Sequence, residues 1–350
     1  MTEPLVSVVM AVCNVERFLA EAIESILSQT FTDFEFIVVD FGSNDDSKSI
    51  VTQYAGRDDR IRFHEIPVCT LPIARNAACL MARGRYVAVM DADDISLPGR
   101  LAIEVDFFEG NPGIALLGGA IELIDSTGRP LGICSHPTDS REIRSELTTH
   151  CTFWHPTILV STEALTSIGG YREAFVYAHD YDLELRLAEK YECANLPDVV
   201  LKYRVHSAQV TLQKQRQQTL CKLAAQVSAT SRKCDNLDPI DDVSEITPAL
   251  LEELGIDYAA QQNALASDCW TWVRNMKEAR EYTAALNAAR LMLGSKPVHV
   301  ERWLIADLQL LVAQLYWKQG RFIKSLLAAC HAVITRPLIL GRPFRLVLGR

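Results

Sequence analysis

The amino-acid sequence predicts an α/β protein: a mixed, mostly parallel sheet flanked by helices, followed by an α-helical C-terminal region. Two patterns carry this prediction. Over roughly the first two hundred residues, short apolar runs rich in β-branched residues alternate with segments whose apolar residues recur at helical spacing. From residue 249 to about residue 332 the spacing is helical throughout, and Ala, Leu, Gln and Trp are frequent.

The repeated order of strand and helix predicts βαβ units, which place parallel strands in one sheet. The predicted strands are residues 6–12, 36–39, 61–65 and 86–90, and the predicted helices are 16–28, 47–54, 72–82 and 101–109. Further on, residues 122–124 and 131–134 flank a turn and predict a hairpin. A helix over 180–191 and a strand over 199–205 are predicted to complete the sheet-containing domain.

Changes of composition divide the chain into three predicted parts. Residues 1–210 form the α/β domain, and residues 211–248 form a Gln-rich helix followed by an acidic linker that contains proline. Residues 249–350 form the α-helical C-terminal region.

Composition excludes several classes of protein. The net charge of −9 is opposite to that of typical nucleic-acid binders, so we expect no nucleic-acid partner. The 10 cysteines are scattered without paired short spacings, a pattern typical of reduced thiols in a cytosolic protein. Neither a secretion signal nor an apolar run long enough to span a membrane is evident. We therefore expect a cytoplasmic protein.

Acidic residues follow two of the predicted strands. Asp91, Asp93 and Asp94 come directly after strand 86–90, and Asp40 follows strand 36–39. Ligands of open α/β sheets bind beyond the carboxyl ends of the strands, and carboxylate oxygens are ligands that Mg²⁺ and Mn²⁺ prefer. On these residues alone, a turn that caps a helix ahead of Pro98, with Asp40 in an ordinary turn, stays an open alternative.

Two further positions are candidates for chemistry. Asp180 begins a predicted helix, where it is either a first-turn acid stabilised by the helix dipole or a general base facing a cleft. Arg75 lies on the predicted helix 72–82, either on a solvated face or near a bound anion. The chain lacks a Gly-x-Gly-x-x-Gly turn after the first strand, a P-loop, a Gly-x-Ser-x-Gly elbow and a His-Glu-x-x-His motif. A nicotinamide dehydrogenase, a P-loop NTPase, an α/β-hydrolase and a zincin are therefore disfavoured in turn.

Taken in order, the segments closely resemble those of the family 2 glycosyltransferases, inverting enzymes of the GT-A fold. The resemblance includes Ala74-Arg75-Asn76, Asp91-Ala92-Asp93 and Asp180-Tyr181-Asp182-Leu183, and extends over roughly residues 5–210. The matching stretches are 6–14, 22–31, 36–43, 74–76, 84–94, 98, 100–101, 155–157, 169–171, 180–183 and 203–206.

The resemblance implies a nucleotide-sugar donor, a Mn²⁺ or Mg²⁺ cofactor and a glycan or lipid-linked acceptor in cell-surface polysaccharide or lipid-linked glycan synthesis. It implies that Asp93 and Asp91 hold the metal and that Asp180 is the catalytic base, which deprotonates the acceptor hydroxyl. Donor-binding residues implied in the same way are Ala11, Val12, Asp40, Arg75 and Asp91.

Two positions depart from the family pattern. Phe41 stands where many relatives carry a second aspartate that contacts the base, which weakens the expectation of a UDP-sugar. His179 stands where many relatives carry glutamate before the base. If His179 is close to Asp180, a partial positive charge on it is expected to lower the pKa of the base.

The C-terminal region lies outside the resemblance. Beyond Asp307 the sequence has no acidic residue, whereas basic residues alternate with apolar ones. This composition is typical either of a packed helix with solvated arginines or of a segment that lies on an anionic membrane, and a peripheral membrane contact stays open. The basic residues are Lys318, Arg321, Lys324, Arg336, Arg342, Arg345 and Arg350.

Two alternatives to an inverting glycosyltransferase are a nucleotidyltransferase and a non-catalytic relative that uses the fold as a nucleotide-sugar-binding interaction module. The first needs a Gly-rich phosphate loop after the first strand, where this chain has residues 13–18 without glycine. The second is supported by Phe41 and opposed by the presence of Asp91, Asp93 and Asp180.

Overall fold

The structure is a computed structural model that describes residues 3–206, 212–294 and 299–339. Arg342, Arg345 and Arg350 of the predicted basic C-terminus lie outside the described residues. Within the described residues, nine strands form a single mixed sheet in the order β3-β2-β1-β4-β8-β6-β9-β5, and β7 pairs with β6. The strands are β1 (Val6–Val12), β2 (Phe34–Asp40), β3 (Ile61–Glu65), β4 (Tyr86–Val89), β5 (Ile95–Ser96), β6 (Ile114–Asp125), β7 (Pro130–Cys134), β8 (Leu159–Ser161) and β9 (Glu192–Val205).

The first four strands are parallel. β1 lies between β2 and β4, and β3 pairs with β2 on the outer side. Every residue of β2 and β4 is buried, as expected where helices cover both faces of a parallel sheet. The four predicted strands of this half are therefore confirmed, as is the α/β fold class.

The second part of the sheet is antiparallel. β8 pairs with β4 and β6, and β5 pairs with β9. The predicted hairpin is present as β6 and β7, although β6 begins at Ile114, well before the predicted residue 122. The last predicted strand is also longer, since β9 begins at Glu192. Apolar runs interrupted by polar residues, as in β9, give a weaker strand signal than continuous ones.

Helices connect the strands. Leu19, Ile23 and Ile26 of α1 contribute to the main hydrophobic core with β1, β2 and β4. The helices of this part are α1 (Glu16–Leu27), α2 (Ser47–Ala55), α3 (Leu71–Leu80), α4 (Arg100–Gly110), α5 (Ser140–Leu147), α6 (Thr162–Ser167) and α7 (His179–Lys190).

A buried polar cluster fixes the amino-terminal ends of the central strands. Glu35 of β2 accepts hydrogen bonds from Ser7 of β1 (2.7 Å), Arg62 of β3 (2.6 Å) and Arg83, which precedes β4 (2.7 Å). Burial by itself would raise the pKa of Glu35, but the hydrogen bonds from these three residues lower it to about 2. A charged carboxylate with three donors holds four chain segments in register.

The chain packs as two compact units. Within the described residues, the first contains residues 3–124, 132–204 and 224–245, and the second contains 125–131, 205–206, 212–223, 246–294 and 299–339. After the sheet come the helices α8 (Leu212–Lys233), α9 (Pro248–Glu253), α10 (Tyr258–Glu278), α11 (Tyr282–Gly294), α12 (Arg302–Lys318) and α13 (Phe322–Thr335).

The second unit is held by packing between helices. Ala306 and Leu310 of α12 pack against Ala332 of α13, and Ala266 of α10 packs with Leu304 of α12. Among the residues that the structure describes, no helix combines the length and apolar character needed to cross a membrane.

Candidate active site

The carboxyl ends of β2, β1 and β4 lie side by side. Val12 is paired with Asp40, and Val9 with Val89, two residues before Asp91. Sheet register thus brings Ala11, Val12, Asp40 and Asp91 to one edge, as the sequence predicted. The Ala11 side chain is half-buried, whereas the Val12 side chain is in the hydrophobic core and leaves only its backbone for contact with a ligand.

Asp40 is fully buried, and its two carboxylate oxygens differ in their contacts. One oxygen accepts hydrogen bonds from the backbone N–H groups of Gly42 (3.0 Å) and Ser43 (3.1 Å). Gly42 has a φ of +108°, a conformation that favours glycine, so the turn after β2 is fixed by Gly42 and Asp40 together. The other oxygen is buried and has no hydrogen-bond partner in the structure. Such an oxygen can accept a hydrogen bond from a ligand placed at this edge.

Arg75 of α3 connects Asp91 with α7. Its Nη2 donates to Asp91 Oδ1 (2.5 Å), and its Nη1 lies 2.7 Å from Nε2 of His179. Arginine only donates, so Nε2 of His179 is the acceptor and His179 is neutral. Burial and the Arg75 charge lower the pKa of His179 to about 4. The expectation of a partial positive charge on His179 near neutral pH is therefore wrong.

The segment after β4 holds Asp93 and Asp94 in different environments. Asp94 is buried, and its Oδ1 accepts the backbone N–H of Arg204 (2.8 Å), while its other oxygen has no hydrogen-bond partner. The Arg204 guanidinium donates to the backbone oxygen of Asp93 (2.8 Å) and to Glu21 (2.5 Å). Arg204 thus fixes the backbone of this segment. The Asp93 side chain is half-buried.

Negative charge accumulates at this edge. Burial raises the pKa of Asp91, the nearby Asp93 and Asp180 carboxylates raise it further, and Arg75 opposes them. Burial also raises the pKa of Asp94 well above its usual value, with contributions from Asp93 and Asp91. Carboxylates that repel one another at a strand end are stabilised by a bound cation.

A divalent cation fits this set of donors. The carboxylate oxygens of Asp91 and Asp93 are hard ligands, as Mg²⁺ and Mn²⁺ require. Across the described residues, no group of three or more His, Cys, Asp and Glu side chains is arranged to enclose an ion. The protein would therefore supply one or two carboxylates and leave other positions to a ligand and water, which is how Mg²⁺ is commonly bound beside phosphates.

Asp180 lies in the first turn of α7 and interacts electrostatically with Arg75 and Asp91. One of its oxygens accepts the backbone N–H of Tyr181 (2.9 Å). Ala178, the residue before the first residue of α7, has a left-handed backbone with φ of 52°, which is unusual for a residue other than glycine. The abrupt turn at Ala178 directs the start of α7, and with it Asp180, toward the carboxylate cluster.

The sequence reasoning missed several residues of this site. Arg204 organises the segment after β4 together with Asp94, which the sequence already placed among the acidic candidates, whereas only the inclusion of Arg204 in a matched stretch hinted at its role. Trp154 and Tyr203 have ring centroids 5.6 Å apart, and the Trp154 indole nitrogen is buried without a hydrogen-bond partner. Burial raises the pKa of Tyr203 well above its usual value, and Asp94, Asp93, Asp91 and Asp180 all contribute. The aromatic pair therefore lies beside the acidic cluster.

Comparison with known proteins agrees with this geometry. The family model described as "Glycosyl transferase family 2" matches residues 7–169. An uncharacterized glycosyltransferase of Methanocaldococcus jannaschii is 35% identical over 225 residues, which cover 63% of this chain and 77% of the relative. The O-antigen biosynthesis glycosyltransferase WbnJ of Escherichia coli is 31% identical over 211 residues, which cover 58% of this chain and 80% of the relative.

Solved structures extend the similarity to most of the chain. TarS 1-349 of S. aureus in complex with UDP-GlcNAc has a TM-score of 0.52 at 15% identity and covers 96% of this chain and 92% of its own. The mannosyltransferase PcManGT of Pyrobaculum calidifontis, in complex with GDP-Man and Mn²⁺, has a TM-score of 0.51 at 17% identity, with coverages of 96% and 89%. At these identities the similarity shows the fold alone, and it is the predicted GT-A fold.

Proposed function

The chain belongs to the family 2 glycosyltransferases, and on that premise we propose that it transfers a hexosyl or related sugar from a nucleoside diphosphate to an acceptor hydroxyl with inversion. The observation that carries the proposal is the gathering of Asp91, Asp93 and Asp180 around one strand end, with the buried Arg75 hydrogen-bonded to Asp91. A non-catalytic interaction module would not need this concentration of repelling carboxylates.

The donor nucleotide is proposed to bind at the ends of β1 and β2. Ala11 and the backbone of Val12 would line the pocket, and the unpartnered oxygen of Asp40 would accept a hydrogen bond from the nucleoside. A UDP-sugar is the first candidate, since the TarS structure holds UDP-GlcNAc, but the PcManGT structure holds GDP-Man and Phe41 replaces an expected aspartate. Both nucleotides therefore belong in the test.

Asp93 and Asp91 are proposed to hold Mn²⁺ or Mg²⁺, which when bound would neutralise negative charge on the leaving diphosphate. The resemblance to the family makes Asp93 the more direct ligand, and Arg75 already occupies one oxygen of Asp91. Arg75 orients Asp91 and contributes a fixed positive charge close to the diphosphate.

Asp180 is proposed to accept the proton of the attacking acceptor hydroxyl. Its position at the start of α7 holds it toward the cluster that would bind the donor, which is the arrangement that in-line attack requires. Trp154 and Tyr203 offer aromatic faces beside this base for the sugar of an acceptor.

The wider setting is also a proposal. The acceptor is proposed to be a growing surface polysaccharide or a lipid-linked glycan, with no nucleic-acid partner, and the location to be cytoplasmic with peripheral contact to the inner face of the membrane. We keep the division into residues 1–210, 211–248 and 249–350 as a proposal for the extents of the functional domains.

The function is tested by a panel of nucleotide sugars, in which Mn²⁺-dependent donor hydrolysis or thermal stabilisation is measured. We expect one donor to respond in the parent and in Asp106→Asn, whose side chain is exposed on α4. Asp93→Ala should lose metal-dependent donor binding, whereas Asp180→Ala should keep donor binding and lose transfer by about 10²–10⁴-fold. A folded parent protein that responds to no donor would contradict the proposal.

A further inference from the structure

The helix α13 has an unusual distribution of side chains. Its small residues face inward: Ser325 and Ala332 are buried, and Ser325 Oγ donates to the backbone oxygen of Ala313 on α12 (2.8 Å). Its large apolar residues face outward, with Ile323, Leu326 and Ile334 exposed by 79%, 66% and 75%. Small residues permit close approach to α12, while the apolar area that would normally form a core is left in solvent.

The exposed apolar positions form one continuous surface. Each residue advances a helix by 100°, so the six exposed positions fall within an arc of about 140°. We call this surface the α13 face, and its members are Phe322, Ile323, Leu326, Leu327, Cys330 and Ile334. A contiguous apolar surface of this kind marks an interaction site.

Positive charge and aromatic side chains border the α13 face at its amino-terminal end. Lys318, Arg321 and Lys324 are exposed there. Trp317 is 40% exposed, and its ring lies 4.8 Å from that of Phe322 in an edge-to-face contact. Tryptophan and phenylalanine beside lysine and arginine are typical of helices that lie in the boundary between lipid headgroups and acyl chains.

We propose that the α13 face binds the surface of an anionic lipid bilayer, with Phe322, Ile323, Leu326 and Leu327 inserted among the acyl chains and the basic residues on the phosphates. This membrane-binding proposal rests on the proposed function only in that the membrane would carry the acceptor. A second copy of the chain is a poorer occupant, because residues 308–350 of that copy contain no acidic side chain to pair with Lys318, Arg321 and Lys324. Charge complementarity therefore selects the bilayer.

The test is co-sedimentation of the full chain with vesicles of phosphatidylcholine mixed with phosphatidylglycerol, compared with vesicles of phosphatidylcholine alone. We expect the chain to bind the mixed vesicles, and the double variant Ile323→Ser with Leu326→Ser to weaken that binding at least about tenfold. The triple variant Lys318→Gln, Arg321→Gln and Lys324→Gln should weaken it to a similar degree. Leu291→Ser, which changes an exposed leucine of α11, should bind as the parent does.

Three results would overturn the proposal. The first is equal binding to neutral and anionic vesicles, or binding that the double variant leaves unchanged. The second is dimerisation in light scattering that the double variant abolishes, without vesicle binding, which would assign the α13 face to a second copy. The third is vesicle binding that is lost on removal of residues 340–350 alone, which would assign the lipid contact to that segment of the chain.

Failure of this proposal is distinguishable from failure of the proposed function. Donor hydrolysis is measured on the same variants in the absence of lipid, where the α13 substitutions should leave it unchanged. Hydrolysis without vesicle binding would overturn the membrane surface alone, whereas vesicle binding without any donor response would overturn the glycosyltransferase activity alone.

Discussion

Arg75 illustrates how a single residue organises the site. It is almost fully buried, and its two terminal nitrogens contact a carboxylate on one side and a neutral imidazole on the other. The flat guanidinium spans Asp91 and His179 at once, which a lysine ammonium cannot do in the same geometry. Because His179 is neutral, the positive charge of Arg75 is compensated chiefly by the acidic edge, where the donor diphosphate is proposed to bind.

The substitution Arg75→Lys should therefore weaken donor binding by about tenfold, the equivalent of one hydrogen bond between charged groups. KM for the donor and the dissociation constant from calorimetry are the measurements. Arg85→Lys is the matched control, because Arg85 is exposed and pairs with Glu109 at the surface. Equal donor affinity in the parent and Arg75→Lys would contradict this role.

His179 should make stability depend on pH. Its folded pKa of about 4 lies below the ordinary value of 6.5, so the unfolded chain binds the proton more tightly. The free energy of unfolding therefore has its full value above pH 6.5. It falls as the pH is lowered toward 4, by about 3 kcal/mol in all.

Denaturant titrations between pH 7.5 and pH 4 measure this effect on the free energy of unfolding. His179→Gln keeps an acceptor for Arg75 but has no titrating group, so its stability should fall less over this range. Below pH 4.5 both proteins should lose stability further as Glu35, with a folded pKa of about 2, becomes protonated in the unfolded chain. If the free energy of unfolding of the parent and of His179→Gln depended on pH in the same way above pH 4.5, the result would contradict a lowered pKa of His179.

At the scale of elements, α7 is held by a chain of ion pairs just behind Asp180. Asp182 is fully buried and accepts from Arg172 and from Arg186 (2.9 Å). Arg172 also donates to Asp238 (2.9 Å), which lies in the acidic segment after α8 and accepts from Ser228 and Arg232. Residues 224–245 belong to the same compact unit as α7, so this segment supports the helix that carries the proposed base.

Asp238→Asn should lower kcat several-fold while leaving KM for the donor unchanged, because the base shifts and the donor site does not. Removing one charge from this nearly buried network should also reduce the free energy of unfolding by about 3 kcal/mol. Steady-state kinetics and denaturant unfolding are the measurements, and Asp238→Glu should restore part of both.

Asp241→Asn provides the matched control for Asp238. Asp241 contacts the same Arg172 at 3.4 Å, but its side chain is 70% exposed, so its removal should cost less than about 1 kcal/mol. Equal effects of the two substitutions on kcat would contradict a positioning role for Asp238.

At the scale of the whole molecule, charge is unevenly distributed along the chain. The protein carries a net charge of −9, yet residues 308–350 contain no acid. The first compact unit gathers carboxylates at the sheet edge, and the second presents the α13 face with its basic border. These features suit different ligands, a cation with a diphosphate in one unit and an anionic surface in the other.

A donor and Mn²⁺ together should stabilise the folded chain. At a donor concentration about 100 times its dissociation constant, binding contributes about 2.7 kcal/mol, which raises the melting temperature by about 5 °C. Thermal unfolding measured with donor, with donor and Mn²⁺, and with added chelator checks this expectation. Asp93→Ala should show no Mn²⁺-dependent increase, and an equal increase in that variant would contradict the role of Asp93.

The sequence by itself determined the parallel half of the sheet, its connecting helices and the edge on which Asp40 and Asp91 lie. These follow from the spacing of apolar residues and from turn residues, which act between near neighbours in the chain. Only the tertiary structure decided which side chains contact one another in the site. Arg75 and His179 are 104 positions apart, and their contact, which leaves His179 neutral, depends on the path of the whole chain. The same holds for α13: spacing predicts that a helix has an apolar face, but only packing against α12 decides that this face points to solvent.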